Sequence, residues 1–208
     1  MIIVATSIYG EYEAYLPQIL EEMMNKIRVI NQEYKENRNC KLYEHLIGRI
    51  KTENSMREKC QRKGLAMSTK NALWEIKDAI AIRVVCGFVD DIYTMVEQLR
   101  ALSGWRVIQE KDYVKNAKPN GYRSYHMIFD IVTKFPDING RQPGHYYLEV
   151  QLRTIAMDSW ASLEHEMKYK HDIKDPEKIT KELKRCADEL ASCDISMQTI
   201  RQLIHEED

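Results

Sequence analysis

The run Ile80-Ala81-Ile82-Arg83-Val84-Val85-Cys86 constrains this chain more than any other segment. Its almost unbroken apolar character reads as a central strand buried on both faces of a sheet. The one charge inside it, Arg83, needs a partner, because a buried guanidinium without one is costly.

The rest of the pattern supplies elements to pack around that strand. Tyr15, Ile19, Met23, Ile27 and Ile30 recur at helical spacing and predict an amphipathic helix from residue 8 to about 36. After the polar break Asn37-Arg38-Asn39 comes a basic segment, then a helix over Glu53–Lys63 that stops at Gly64. Asp90-Asp91 is placed to cap a helix running to about Leu102, with Ile92, Met95, Val96 and Leu99 on one side. Strands are expected over Trp105–Gln109, Arg123–Val132 and His145–Leu152, the last two joined by a Pro/Gly-containing loop at 136–144. Met157–Lys170 reads as helix. Helices and strands alternate irregularly, so the expected class is α+β, a mixed sheet with helices against it.

The C-terminal segment has its own signature. Ile179, Leu183, Cys186, Leu190, Cys193, Met197, Ile200 and Ile204 follow four-three spacing, a heptad seam. Such a helix either folds back on the domain or the N-terminal helix, or mediates self-association. The expected organisation is an N-terminal helical segment over 1–40, a core domain over 41–172 and a C-terminal helix over 173–208.

A chain of 208 residues buries a substantial core. Its formal net charge is −1, so any pull on polyanions must come from local clusters of Lys and Arg. Cys40, Cys60, Cys86, Cys186 and Cys193 form no Cys-x-x-Cys pair and are odd in number. Reduced thiols in a cytosol are the plain reading. Met1-Ile2-Ile3-Val4-Ala5 is too short and lacks the basic start of a signal peptide. No stretch approaches the roughly eighteen apolar residues that cross a bilayer. A cytoplasmic protein without a membrane partner is expected.

Three constellations carry chemistry. Gly48-Arg49-Ile50-Lys51 is followed by Ser55, Lys59, Arg62 and Lys63, and on a helix 55, 59 and 62 share a face. They form either a solvated basic face or a concave phosphate site. In Leu148-Glu149-Val150-Gln151-Leu152-Arg153-Thr154, alternation puts Glu149, Gln151 and Arg153 on one face of a strand. That face either meets solvent or lines a cleft. Asp78 stands just before the buried strand, as a turn residue or as a partner for Glu149; if the two converge they suit Mg²⁺ held together with substrate phosphates. In Asn120-Gly121-Tyr122-Arg123-Ser124-Tyr125-His126, Gly121 permits close backbone approach and Tyr122 offers a face for stacking a purine. The alternative for Tyr122 and Tyr125 is core packing. Lys111, Lys115 and Lys118 lie upstream, within reach of further phosphates. Gly-x-x-x-x-Gly-Lys-Ser/Thr and Gly-x-Gly-x-x-Gly are both absent, which excludes a P-loop and a Rossmann binder. His171-Asp172 reads as an incidental pair in a polar loop.

These segments occur in the order Gly48–Lys51 with Ser55 and Lys59, Asp78–Arg83, Gly121–His126 and Glu149–Thr154. Met157-Asp158-Ser159-Trp160-Ala161 and Glu164-His165-Glu166 follow. In this the chain resembles the RelA/SpoT synthetase family, and specifically its single-domain members, the small alarmone synthetases of the RelQ and RelP type. The resemblance runs from about residue 45 to 170. It implies a nucleotidyltransferase-like fold for the core and transfer of pyrophosphate from ATP to the 3′-hydroxyl of GTP or GDP, with no hydrolase activity. Carried over by position, Arg49, Lys51, Ser55 and Lys59 would bind ATP phosphates, and Arg49 with Arg83 would bracket adenine. Asp78 and Glu149 would be catalytic and hold Mg²⁺, Glu149 also taking the 3′-hydroxyl proton. Tyr122 would stack on guanine, with His126, Lys111, Lys118 and Gln151 around the acceptor. Small members are commonly homotetramers. Control by guanine alarmones or single-stranded RNA, known for some relatives, is assigned to no residue. The rival readings are a toxin-like relative that modifies adenine nucleotides or tRNA, and an inactive RNA- or nucleotide-sensing module.

Overall fold

Five strands form one sheet in the order β1-β2-β5-β4-β3: β1 His45–Ile50, β2 Ile80–Cys86, β3 Trp105–Asp112, β4 Tyr125–Thr133 and β5 Gly144–Thr154. β2 and β5 run parallel and every other neighbouring pair antiparallel, so the sheet is mixed, as expected. The computed structural model describes residues 7–169 and 175–206. The Met1–Ala5 start, Lys170 and the His171-Asp172 pair lie outside the described residues.

The helices are α1 Leu16–Arg38, α2 Glu53–Arg62, α3 Val89–Arg100, α4 Ile155–Tyr169 and α5 Pro176–Glu206. Pro17 sits in the first turn of α1, where its missing N–H costs nothing, and residues 10–14 before it form a 3₁₀ turn. A π-helical turn, Asn71–Glu75, was not indicated by periodicity. Neither Asp90 nor Asp91 is the N-cap residue of α3, which is Phe88 without a side-chain bond; both acids lie in the first turn, where Asp91 accepts a hydrogen bond from the Phe88 backbone and negative charge suits the helix N-terminus. Among the described residues no helix is long and apolar enough to cross a membrane, and all five cysteines are free.

The sheet has two unlike faces. On one, Ile80, Ile82, Val84, Met127, Phe129, Leu148, Val150 and Leu152 are buried in a single core with Leu16, Ile19, Met23 and Ile27 of α1 and Ile92, Met95 and Leu99 of α3. Gly48 makes the α1 contact possible: a Cβ there would stand 2.3 Å from Met24 Sδ and 2.9 Å from Leu20 Cδ1. The basic segment around it is thus edge strand β1, alternately exposed and half-buried. The other face carries the charged side chains.

α5 folds back on the domain. Leu183 and Ala187 pack with Trp160 and Ala161 of α4, and Tyr122 and Leu190 join them. The Trp160 indole donates to Leu183 O at 2.8 Å, Thr154 Oγ1 to Asp194 Oδ2 at 2.6 Å, and Arg201 Nη1 to Asp91 Oδ1 at 2.7 Å. The inner stripe therefore runs through Leu183, Ala187, Leu190 and Asp194. Cys186 and Cys193 of the heptad seam are exposed instead, because the contact uses small and polar residues that a hydrophobic pattern does not mark.

Candidate active site

Pairing across the sheet assembles the charged face in rows. Arg83 pairs with Gln151, Gln151 with His126 and His126 with Lys111, one residue from each of four adjacent strands. In the next row Arg49 pairs with Ala81 and Ala81 with Glu149. Paired residues point to the same side, so cations from β1 and β2 flank the polar residues of β5 and β4. Ile47, Arg49, Ala81, Ile82, Arg83 and Gln151 line a shallow groove where β1 meets β2.

Asp78 lies at the approach to β2 and is buried, with 8% of the residue exposed. Its Oδ2 accepts from the Lys59 ammonium and stands 3.2 Å from that of Lys51. Its Oδ1 is buried with no hydrogen-bond partner. Lys51 is aimed there because its backbone N–H bonds Ala79 O at 2.8 Å, extending the β1–β2 ladder. Lys59 comes from α2, whose N-cap Thr52 accepts from Ser55 N. Ser55 is exposed in the first turn, and Arg62 and Lys63 are exposed at the far end.

Glu149 Oε2 accepts from Gln151 Nε2 at 2.9 Å, and Oε1 is 3.6 Å from His126 Nδ1. Burial pushes this carboxyl up, but the His126 ring, the Gln151 amide and the Lys59 ammonium outweigh it and hold the group below the usual carboxylate range. Lys59 thus acts on both acids.

The Tyr122 hydroxyl accepts from Arg153 Nη2 at 2.9 Å and lies 2.8 Å from His126 Nε2. The Lys118 ammonium stands 4.6 Å from the Tyr122 ring centroid. Lys115 points elsewhere, over Tyr93, and Lys111 is exposed on β3. Tyr125 is core, packed edge-on against Tyr93. Gly121 does allow a close approach, though to α5: its φ is +92° and a Cβ would lie 2.6 Å from that of Ala187.

One residue of this face is not marked by the sequence pattern. Asp158, in the first turn of α4, bridges Arg83 and Arg153. Arg153 in turn donates to Gln151 Oε1 at 3.0 Å. The demand of Arg83 for a partner was the signal; which acid answers it depends on how α4 docks.

Among the described residues no three His, Cys, Asp or Glu side chains gather as a metal cage. Two carboxylates near one ammonium, one with an unpartnered buried oxygen, fit instead a hard cation that takes most of its ligands from phosphates and water.

One face of the mixed sheet is apolar and covered by α1 and α3, and the other gathers carboxylates and guanidinium groups suited to binding phosphates. The chain belongs to the RelA/SpoT family: residues 48–174 match the family model described as the region found in RelA/SpoT proteins. It is 37% identical over 169 residues to the GTP pyrophosphokinase YwaC of Bacillus subtilis, covering 81% of this chain and 79% of that one. The crystal structure of the small alarmone synthetase 1 from Bacillus subtilis bound to its product pppGpp is 31% identical, with a TM-score of 0.81 over 93% of this chain and 98% of that chain. The same synthetase bound to AMPCPP gives 30% identity and a TM-score of 0.75, over 94% and 98%.

Proposed function

We propose that this protein is a GTP pyrophosphokinase, making (p)ppGpp from ATP and GTP or GDP. The acceptor 3′-oxygen bonds to the donor β-phosphorus as the bond from that phosphorus to the α-phosphate oxygen breaks, and AMP leaves. The observation that supports the reading is the row of Arg83, Gln151 and His126 beside Glu149 on one sheet face, joined by Tyr122 and Arg153, with Lys59, paired to Asp78, near enough to favour the ionised Glu149.

On this reading Arg49 and Arg83, both on the groove, bracket adenine, while Arg49, Lys51, Ser55 and Lys59 hold the donor phosphates. Arg forks and ammonium groups neutralise charge spread over the migrating group. Glu149, kept ionised by its neighbours, takes the 3′-hydroxyl proton. Tyr122 stacks on guanine with its hydroxyl pinned by Arg153 and His126, and Lys111, Lys118, His126 and Gln151 surround the acceptor. Asp78 and Glu149 would hold Mg²⁺, which when bound neutralises the donor phosphates and polarises their oxygens. Most of the catalysis is then positioning, with no covalent step on the protein.

The activity assigned is synthesis in the stringent response, in the cytoplasm where these nucleotides are free. The exposed Ile195, Met197, Ile200, Leu203 and Ile204 on α5 support self-association, for which a tetramer is proposed. Incubation of the protein with labelled ATP, Mg²⁺ and separate acceptors tests the reading. AMP and a 3′-pyrophosphorylated guanosine nucleotide are expected with GTP or GDP. Transfer to adenine nucleotides or tRNA alone would overturn it.

A further inference from the structure

Lys59 stands against the carboxylate that the metal reading needs. Its ammonium contacts Asp78 Oδ2, and Lys51 reaches the same oxygen at 3.2 Å. The contact is largely shielded: 23% of the Lys59 side chain and 11% of the Asp78 side chain are exposed. The ammonium thus occupies the carboxylate oxygen that a metal would otherwise take.

The same side chain is poised to leave. It sits on α2 one turn beyond Ser55, which is exposed in the first turn, and residues four apart share a helix face. A flexible four-carbon stem carries its charge to a new partner at little cost. A triphosphate arriving over Ser55 offers the ammonium more negative charge than one carboxylate does. Asp78 Oδ1, buried and without a partner, is the oxygen that gains most from a cation.

We propose that Lys59 is an internal counter-ion that blocks divalent-metal binding at Asp78 in the nucleotide-free protein. Donor phosphates draw it away, so that metal is taken up only together with nucleotide. This rests on the reading of Asp78 and Glu149 as the metal pair.

Mn²⁺ serves as the probe, its free concentration read by electron paramagnetic resonance with the full chain and no nucleotide. Wild type is expected to bind Mn²⁺ weakly, and Lys59→Met at least ten-fold more tightly at one site. Adding Asp78→Asn to Lys59→Met abolishes that gain, which separates the site from a general change in charge. Lys59→Arg, which keeps the cation, stays weak, and Lys59→Gln repeats the test should the Met variant not fold. With a non-hydrolysable ATP analogue, wild type binds Mn²⁺ tightly. Equal, Asp78-dependent affinity in wild type and Lys59→Met without nucleotide overturns the counter-ion and leaves the metal pair standing. Mn²⁺ binding that ignores Asp78→Asn even with the analogue overturns the metal pair itself.

Discussion

Arg83 and Arg153 meet at a single oxygen, Asp158 Oδ1, at 3.1 and 2.9 Å. Two guanidinium groups lie side by side on the sheet because one acid from α4 holds them. Burial pushes the Arg83 guanidinium down, and the neighbouring Arg153 adds to that while Asp158 opposes it. The Nε atoms of both arginines are already buried without partners. Asp158→Asn is therefore expected to cost about 1–3 kcal/mol, read as a lower urea midpoint at unchanged slope. It should also raise KM for both nucleotides, since Arg83 borders the groove and Arg153 holds Tyr122.

Glu149 gives a pH prediction. Its carboxyl lies below the ordinary value of 4.5, because neighbouring donors and charge outweigh burial. Stability from this group is thus present above 4.5 and lost as pH falls through the depressed value. The acid limb of kcat/KM, which reports the free enzyme, should likewise fall below the usual carboxylate range. His126→Ala leaves burial less opposed, so its limb should move toward neutrality. An unmoved limb would show that His126 does not hold the base in its ionised form.

Gly121→Ala tests the link between α5 and the acceptor loop. The φ of +92° is strained for any Cβ, and that Cβ would meet Ala187 at 2.6 Å and the Lys184 backbone at 3.3 Å. Relief requires α5 to back away, at roughly 1–3 kcal/mol. Tyr122 is the next residue, so KM for GTP or GDP should rise more than KM for ATP. Steady-state kinetics with each nucleotide varied in turn measures the difference.

Asp194 predicts the opposite pH behaviour to Glu149. Burial raises this carboxyl despite the bond from Thr154. A raised acid contributes stability that is full below its ordinary value of 3.8 and is lost as pH rises through the folded value. Asp194→Asn, which keeps an acceptor for Thr154, should unfold at a higher temperature than wild type near pH 8. The gap should close toward pH 4.

The contrast between β2 and β1 shows what was legible in the chain. β2 is apolar throughout, and only a buried strand satisfies that run. β1 pairs with it just as regularly, yet its pattern is broken by Gly48, whose missing side chain makes room for α1. The stripe of α1 was readable, since Ile19, Met23, Ile27 and Ile30 are all buried. The inner stripe of α5 was not, because Ala187 and Asp194 carry no hydrophobic signal. Period two suffices to put Glu149, Gln151 and Arg153 on one face. It says nothing of Asp158, which reaches that face only through the packing of α4, nor of which upstream lysine turns toward Tyr122.

AMP release from labelled ATP in the presence of GDP and Mg²⁺, compared between wild type and Glu149→Gln of equal unfolding temperature, decides whether this sheet face is the catalytic centre. Wild type should release AMP in step with a 3′-pyrophosphorylated guanosine product, and the variant should be slower by roughly 10²–10⁴-fold. Near-equal turnover in the two proteins would contradict the assignment of this sheet face as the catalytic centre.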